Sequence, residues 1–305
     1  MAVAPIPAGP RLPPMAESAS ARRLGLGTVQ FGQAYGVSNT SGQVQAGDVA
    51  AILRRAAAAG VSTLDTAANY GEAERVLGNV PALTRPFRVV TKTIALKNGL
   101  DAVMARARQS VETLGRKPVD LLLVHAAADL RGDGGRALWH GLLALRDEGL
   151  FGGVGISAYV ADDPVQLARD FRPAAMQVPV SLLDQRLLQS GALAALKDLG
   201  VEIHARSLFL QGLLFLDDDR LPPKLRHAAP HLAALRRRFK NAGTTPLAAA
   251  LAFAINRPEI DIGVVGVTNP GELNEILEAA AEPAPAIDWP ACALDDPLVL
   301  TPSLW

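Results

Sequence analysis

A chain of 305 residues, 49 % hydrophobic and 20 % charged, has material for a sizeable core, which excludes wholesale disorder. Its 30 Lys and Arg offset its 30 Asp and Glu, so no net field draws it to nucleic acid or to an anionic membrane. Cys292 is the single cysteine, which rules out an intrachain disulfide and a cysteine-based metal cluster and fits a reducing compartment such as the cytoplasm.

Residues 1–22 are rich in Pro, Ala and Ser, and they carry no apolar run long enough for a signal peptide or a membrane span. They read as a disordered tail, within which Met15 is an alternative start. RLGLGTVQFG (23–32) follows as a short strand and a glycine-bearing loop. Asp48 to Ala59 repeats Val49, Ile52, Leu53 and Ala56 at helical spacing and stops at Gly60. VSTLDTAANYG (61–71) is a strand that ends abruptly at Asp65, with Tyr70 in the loop beyond it. A short helix at 72–77 leads to a strand at 88–93, then to a helix at 100–114 closed by Gly115. VDLLLV (119–124) is apolar nearly throughout, the pattern of a strand buried on both faces of a parallel sheet, and it ends at His125. The alternation continues with a helix at 135–148, a strand at 152–157, a helix at 163–170, a strand at 174–178 and a helix at 187–199. A strand at 201–207, a long connection, helices at 230–240 and 246–256, a strand at 261–265 and a helix at 271–280 complete it.

Eight strands, each followed by helix and with no linker to divide them, predict a single-domain α/β protein, a (β/α)₈ TIM barrel over residues 23–282. The apolar end of 283–305 is expected to pack back on the barrel. A doubly wound sheet is the rival, because Gly153, Gly155 and Ala158 match G-x-G-x-x-A. That fingerprint needs its glycines between a strand and a helix, and here they lie inside a strand.

In such a barrel the C-terminal strand ends converge on one mouth, where active sites sit. Strand two supplies Asp65 and Tyr70, strand three Lys92 and strand four His125. Taken singly, Asp65 reads as a turn cap and His125 as a core histidine. A lysine on a strand covered by helices needs a partner, since burying it unpaired costs several kcal/mol. Together the four can pair charge, favour the phenolate form of a tyrosine and deliver a proton. The other histidines have no ligand-like spacing, so no metal site is expected.

With these residues in view, the chain resembles the aldo-keto reductases from Leu24 to about Ala280. The resemblance rests on LGLGT, LDTAANYG, the lysine of VVTKT, DLLLVH, GGVGIS, the glutamine of MQVPVS, ARSLFLQG and VVGVTNPGEL. It implies hydride transfer between NADPH or NADH and the carbonyl of a small aldehyde, ketone or sugar. Tyr70 would protonate the carbonyl oxygen, Lys92 would make it a better donor, Asp65 would hold Lys92 and His125 would orient the substrate. Ser157 and Gln177 match positions that hold the nicotinamide carboxamide. Gly27 and Thr28 in the first loop, Ser207, and Gly266, Val267 and Thr268 after the last strand match the cofactor-binding stretches. A catalytically weak, cofactor-binding regulatory protein, like the channel-associated β-subunits, is the alternative on the same barrel.

Three positions depart from the family. Ala158 replaces an asparagine that helps hold the carboxamide, and Arg206 replaces an aromatic ring stacked on the nicotinamide. GVTNPGELNEIL has no basic residue for a ribose 2′-phosphate and carries Glu272 where an arginine is common, which predicts NADH or loosely held NADPH. Gln33, Tyr35 and Trp305 are candidates for the substrate pocket.

Overall fold

The computed structural model describes residues 19–36, 39 and 41–305. Its eight strands are β1 (Leu24–Gly27), β2 (Thr63–Asp65), β3 (Arg88–Lys92), β4 (Val119–Val124), β5 (Phe151–Ser157), β6 (Ala175–Pro179), β7 (Glu202–Arg206) and β8 (Ile262–Gly266). Each pairs in parallel with the next and β8 pairs with β1, so the sheet closes as the expected barrel and leaves no edge. In register, Gly27 stands beside both Asp65 and Gly266, and Ser157 beside Gln177. All strands run the same way, so the last residues of every strand face one end.

The helices form where apolar spacing and end signals agree. Leu100–Leu114 buries Val103, Ala107, Val111 and Leu114 on one face, and Gly115 closes it in the left-handed conformation at φ 61°. Pro246–Ile255 starts with proline at its first turn and the Thr245 side chain accepting the Ala248 N–H. Ala248 to Ile255 are all buried there. The main apolar core lies between these helices and the outer faces of the strands.

Two bonds show what points into the barrel. β3 and β7 are four places apart in the ring, as are β2 and β6, so side chains that join them must cross the interior. Arg88 donates to both oxygens of Glu202 at 2.8 and 3.2 Å, and Gln177 Nε2 donates to Asp65 Oδ1 at 2.7 Å. The first pair sits at the strand starts, and the second joins the end of β2 to the middle of β6. Val90, Leu121, Leu123 and Ala175, on β3, β4 and β6, form a separate small apolar cluster. Burial alone would raise the Glu202 carboxyl, but hydrogen bonds from His204 and Arg88 outweigh it and hold the group at about 2.

Three expectations need correction or a boundary. The helix expected at 187–199 is two, Arg186–Gln189 and Ala192–Asp198, because Gly191 adopts φ 74° between them. The tail expected over 1–22 lies outside the described residues as far as 18, while Ala19–Arg22 forms a helical turn with Ala21 buried. The connection after β7 is built of 3₁₀ turns at Leu210–Phe215, Asp218–Arg220 and Pro223–Ala228. In the C-terminal segment, the Trp289 ring meets Phe253 at 5.6 Å. Gln185 Nε2 donates to the Trp289 carbonyl at 2.6 Å, and the Leu294 N–H to the Leu183 carbonyl at 2.9 Å.

Candidate active site

Asp65 ends β2 and is nearly buried. Its backbone carbonyl accepts the Thr28 N–H at 2.9 Å and the Thr28 hydroxyl at 3.1 Å, which ties the loop after β1 to the end of β2. Its carboxylate bridges two strands: Oδ2 accepts from Lys92 Nζ at 2.6 Å and Oδ1 from Gln177. Lys92 is 1 % exposed, so its ammonium must find partners among protein atoms. It finds three, namely Asp65, the Thr66 carbonyl at 2.9 Å and Tyr70 Oη at 3.3 Å, one for each of its protons. Burial alone would push the ammonium toward neutrality. The charge and hydrogen bond of Asp65, with the neighbouring Tyr70, outweigh that, and the lysine is held above its ordinary value. It is therefore a fixed positive charge.

The loop that carries Tyr70 is placed by close backbone contact. It lies so close to the segment after β1 that a Cβ on Gly32 would fall 1.8 Å from the Tyr70 carbonyl oxygen. A Cβ on Gly71, which has φ +52°, would fall 2.5 Å from the Gly32 carbonyl oxygen. The Glu72 N–H donates to that same oxygen at 3.3 Å. Only glycine fits at either position.

His125 follows β4, and its N–H donates to Thr93 Oγ1 at 3.2 Å. Its ring meets Tyr70 edge-on, with centroids 5.9 Å apart and planes at 81°. Burial, and then the charge of Lys92, push the imidazole down to about 4, so it is neutral near neutral pH. Its Nδ1 is buried without a partner among the described residues. Asp65, Tyr70, Lys92 and His125 are thus brought together as one chain of contacts.

The remaining expected residues divide. Ser157 is buried beside Gln177 at the strand ends, and a hydroxyl next to an amide is a donor set that fits a carboxamide. Gln177 has a second role that its residue type does not reveal, since its amide nitrogen holds Asp65. Gly27 and Gly266 are neighbours in register, and a Cβ on Gly266 would meet Gln30 Nε2 at 2.7 Å. Val267 is buried. The Thr268 N–H and hydroxyl donate to Glu272 at 2.6 and 2.7 Å. Those two donors are already taken by a carboxylate, so this corner does not fit a further phosphate.

Arg206 ends β7 with its guanidinium 4.2 Å from the centre of the Tyr159 ring, and Ser207 beside it has φ +64°. Tyr35 accepts from Gln211 Nε2 at 2.9 Å on the rim, and Gln33 lies against Gly71. Trp305 donates to the Leu298 carbonyl at 2.9 Å, which ties its indole to the tail's own helix rather than to the mouth. Sequence reasoning overlooked Tyr159. Its one signal was rarity, a third tyrosine two positions past Ser157. Among the described residues no group of three or more His, Cys, Asp or Glu could hold a metal, and no helix is long and apolar enough to cross a membrane.

A family model described as the aldo/keto reductase family matches residues 23–293. An aldo-keto reductase of Mycolicibacterium smegmatis is 32 % identical over 139 residues, 43 % of this chain and 48 % of that protein. That match spans about half of the relative's length. An uncharacterised oxidoreductase of Mycobacterium bovis is 27 % identical over 287 residues, 85 % of this chain and 84 % of that one. The holo form of an aldo-keto reductase from Bacillus halodurans shares the fold, with a TM-score of 0.69 at 17 % identity over 86 % of this chain and 87 % of that one.

Proposed function

The chain belongs to the aldo/keto reductase family of oxidoreductases, and on that premise we propose that it reduces the carbonyl of a small aldehyde, ketone or sugar to the alcohol, or runs the reverse, with NADH or NADPH. The observation that carries the reading is the Lys92 ammonium, buried and charged between Asp65 at 2.6 Å and Tyr70 Oη at 3.3 Å. A bound nicotinamide would supply the hydride, and Ser157 and Gln177 would hold its carboxamide.

The rest is done by the chain's own side chains. Tyr70 gives its proton to the carbonyl oxygen and is left as a phenolate. Lys92 stabilises that anion, because a fixed charge in a site of low dielectric needs no reorganisation when the negative charge appears. Asp65 keeps Lys92 charged, and Gln177 keeps Asp65 in place. His125, being neutral, offers the carbonyl oxygen an N–H without adding a second cation beside Lys92. In the reverse direction Tyr70 takes the proton back.

Glu272 supports NADH over NADPH, since its carboxylate repels a 2′-phosphate and occupies the Thr268 donors. NADPH binding at least tenfold tighter than NADH would refute that part. The whole reading is tested by loss of NADH or NADPH absorbance with a panel of aldehydes, wild type against Tyr70→Phe. Removing the proton donor should lower the rate about 10²- to 10⁴-fold. Equal turnover by both proteins would remove Tyr70 from the mechanism, and no turnover by either would favour a cofactor-binding regulatory protein.

A further inference from the structure

We propose that Glu74 is a positioning residue for Tyr70: from outside the barrel it clamps the helix that follows the Tyr70 loop to β3, and so sets how far the phenol stands from Lys92. The inference rests on the carbonyl-reductase reading above. Glu74 lies four residues beyond Tyr70, in the first turn of the helix Ala73–Gly78. It is 2 % exposed, and its carboxylate accepts from Thr91 Oγ1 at 2.6 Å, from Arg106 Nη2 at 2.5 Å and from Ser110 Oγ at 3.2 Å. Thr91 and Ser110 are buried as well. Arg106 also donates to Ser110 Oγ at 2.6 Å and, by a longer bond of 3.4 Å, to the Ala68 carbonyl in the Tyr70 loop.

Packing alone does not call for this cluster. A buried ion pair adds little net stability over well-packed apolar side chains of the same volume. What the carboxylate adds is position. An apolar contact tolerates a small slide of one element on another, whereas a carboxylate held by three donors does not.

The geometry carries that position to the reacting groups. Thr91 and Lys92 are consecutive on β3, so their side chains leave on opposite faces. Thr91 points out to Glu74, and Lys92 points into the barrel to Asp65 and Tyr70 Oη. The chain from Asp65 to Glu74 is thus a bracket fixed to one strand at both ends. It leaves β2 with the Thr66 N–H on the Val90 carbonyl at 2.8 Å and the Ala68 N–H on the Lys92 carbonyl at 3.2 Å. It returns with the Ala73 N–H on the Tyr70 carbonyl at 3.0 Å, and Glu74 closes it on Thr91. The bond from Lys92 to Tyr70, at 3.3 Å, is the longest of the three that the lysine makes, so a shift of the bracket breaks it first. The Gly32 contact fixes the loop against the segment after β1, and the Glu74 cluster fixes it against β3.

The test uses Glu74→Gln, Thr91→Val, Thr91→Ser and, as a control for stability alone, Leu251→Ala in the buried helix that precedes β8. With butanal and saturating NADH, kcat of Glu74→Gln should fall about 10- to 100-fold while KM changes less than about threefold, because small displacements of a reacting group are that costly. Its solvent deuterium isotope effect on kcat should rise, since a misplaced Tyr70 slows proton transfer and leaves hydride transfer as it was. Thr91→Val, with every charge in place, should lose about tenfold in kcat, as for one hydrogen bond to a charged group, and Thr91→Ser should recover most of it. Should Glu74→Gln fail to fold, the two Thr91 variants make the same comparison. Hydrogen exchange read by mass spectrometry needs no turnover: peptide 66–72 should exchange about tenfold faster in Glu74→Gln and Thr91→Val than in wild type, Thr91→Ser or Leu251→Ala. Unchanged exchange in that peptide overturns the proposal. Faster exchange with kcat and isotope effect intact also overturns it, as does an equal kcat loss in Leu251→Ala, which would mark a general loss of stability. If wild type reduces no aldehyde, faster exchange confined to 66–72 still supports the clamp, and only the reductase reading fails.

Discussion

Replacing Gln177 with glutamate tests the bond that crosses the barrel. Nε2 of Gln177 is 2.7 Å from Asp65 Oδ1, and Gln177 is 2 % exposed. The substitution keeps the shape and exchanges a donor for a carboxylate. A hydrogen bond to a charged group is worth about 1.5–3 kcal/mol. Two unit charges some 4 Å apart repel by about 4 kcal/mol at an effective dielectric near 20. The protein limits that cost by taking up a proton, so one carboxyl of the pair has a folded pKa well above its unfolded value. The folded state then binds more protons than the unfolded chain, and stability falls as pH rises through the raised value. Urea unfolding of Gln177→Glu should show a loss of about 3–5 kcal/mol at pH 8.5, shrinking to about 1–2 kcal/mol at pH 5. Gln177→Met, which loses only the hydrogen bond, should lose about 1.5–3 kcal/mol at both pH values. A Gln177→Glu deficit that does not change with pH would mean that the amide does not face Asp65, and the account of how Lys92 is held would fail with it.

Lys92→Met leaves the Asp65 carboxylate buried without its cation and should destabilise the fold by about 3–5 kcal/mol, while the double variant with Asp65→Asn should recover much of that. Thermal melts compare them, and additive losses would show that the two side chains are not coupled. Acid unfolding should proceed through two windows. The Glu202 carboxyl lies at about 2 in the fold against an ordinary 4.5, so its contribution is complete above that range and is lost as pH falls toward 2. His125 lies at about 4 against 6.5, so between those values the unfolded chain accepts a proton that the fold refuses, and stability drops as pH falls through them. Urea midpoints between pH 7 and 3 should show His125→Gln flattening the upper window and Glu202→Gln the lower, and unchanged slopes would contradict both assignments. Gly32→Ala should cost several kcal/mol and activity together, since the new methyl meets backbone that cannot swing aside. A variant of wild-type stability and rate would show that the contact is looser than described.

Much of this molecule was legible because local signals and the global fold agree. The helix Leu100–Leu114 was expected at its observed ends, since apolar spacing and a terminal glycine both mark it. β4 was expected at its observed ends from its unbroken apolar run. Asp65, Tyr70, Lys92 and His125 could be grouped because parallel strands carry their last residues to one side. What escaped depends on closure. Gln177 and Asp65 are 112 residues apart and meet only because β2 and β6 stand opposite each other in the ring. No pattern within either strand announces that. Glu272 was expected to stand near a phosphate, but that it folds back on Thr268 is a matter of rotamer and loop shape. Ser190 and Gly191 divide a helix that the apolar spacing carried through, because one residue with positive φ outweighs a good repeat.

The contact between Gly32 and Gly71 bears on how this protein can change. It fuses the loop that carries Tyr70 to the first loop of the barrel by main chain alone, so no side-chain substitution elsewhere can compensate for a methyl at either site. Divergence toward new substrates is thereby channelled to the other rim, where Tyr159, Arg206 and Gln211 make side-chain contacts that single substitutions can rewrite. A library meant to alter specificity belongs at those positions. One that randomises 28–32 or 65–73 would return mostly unfolded chains.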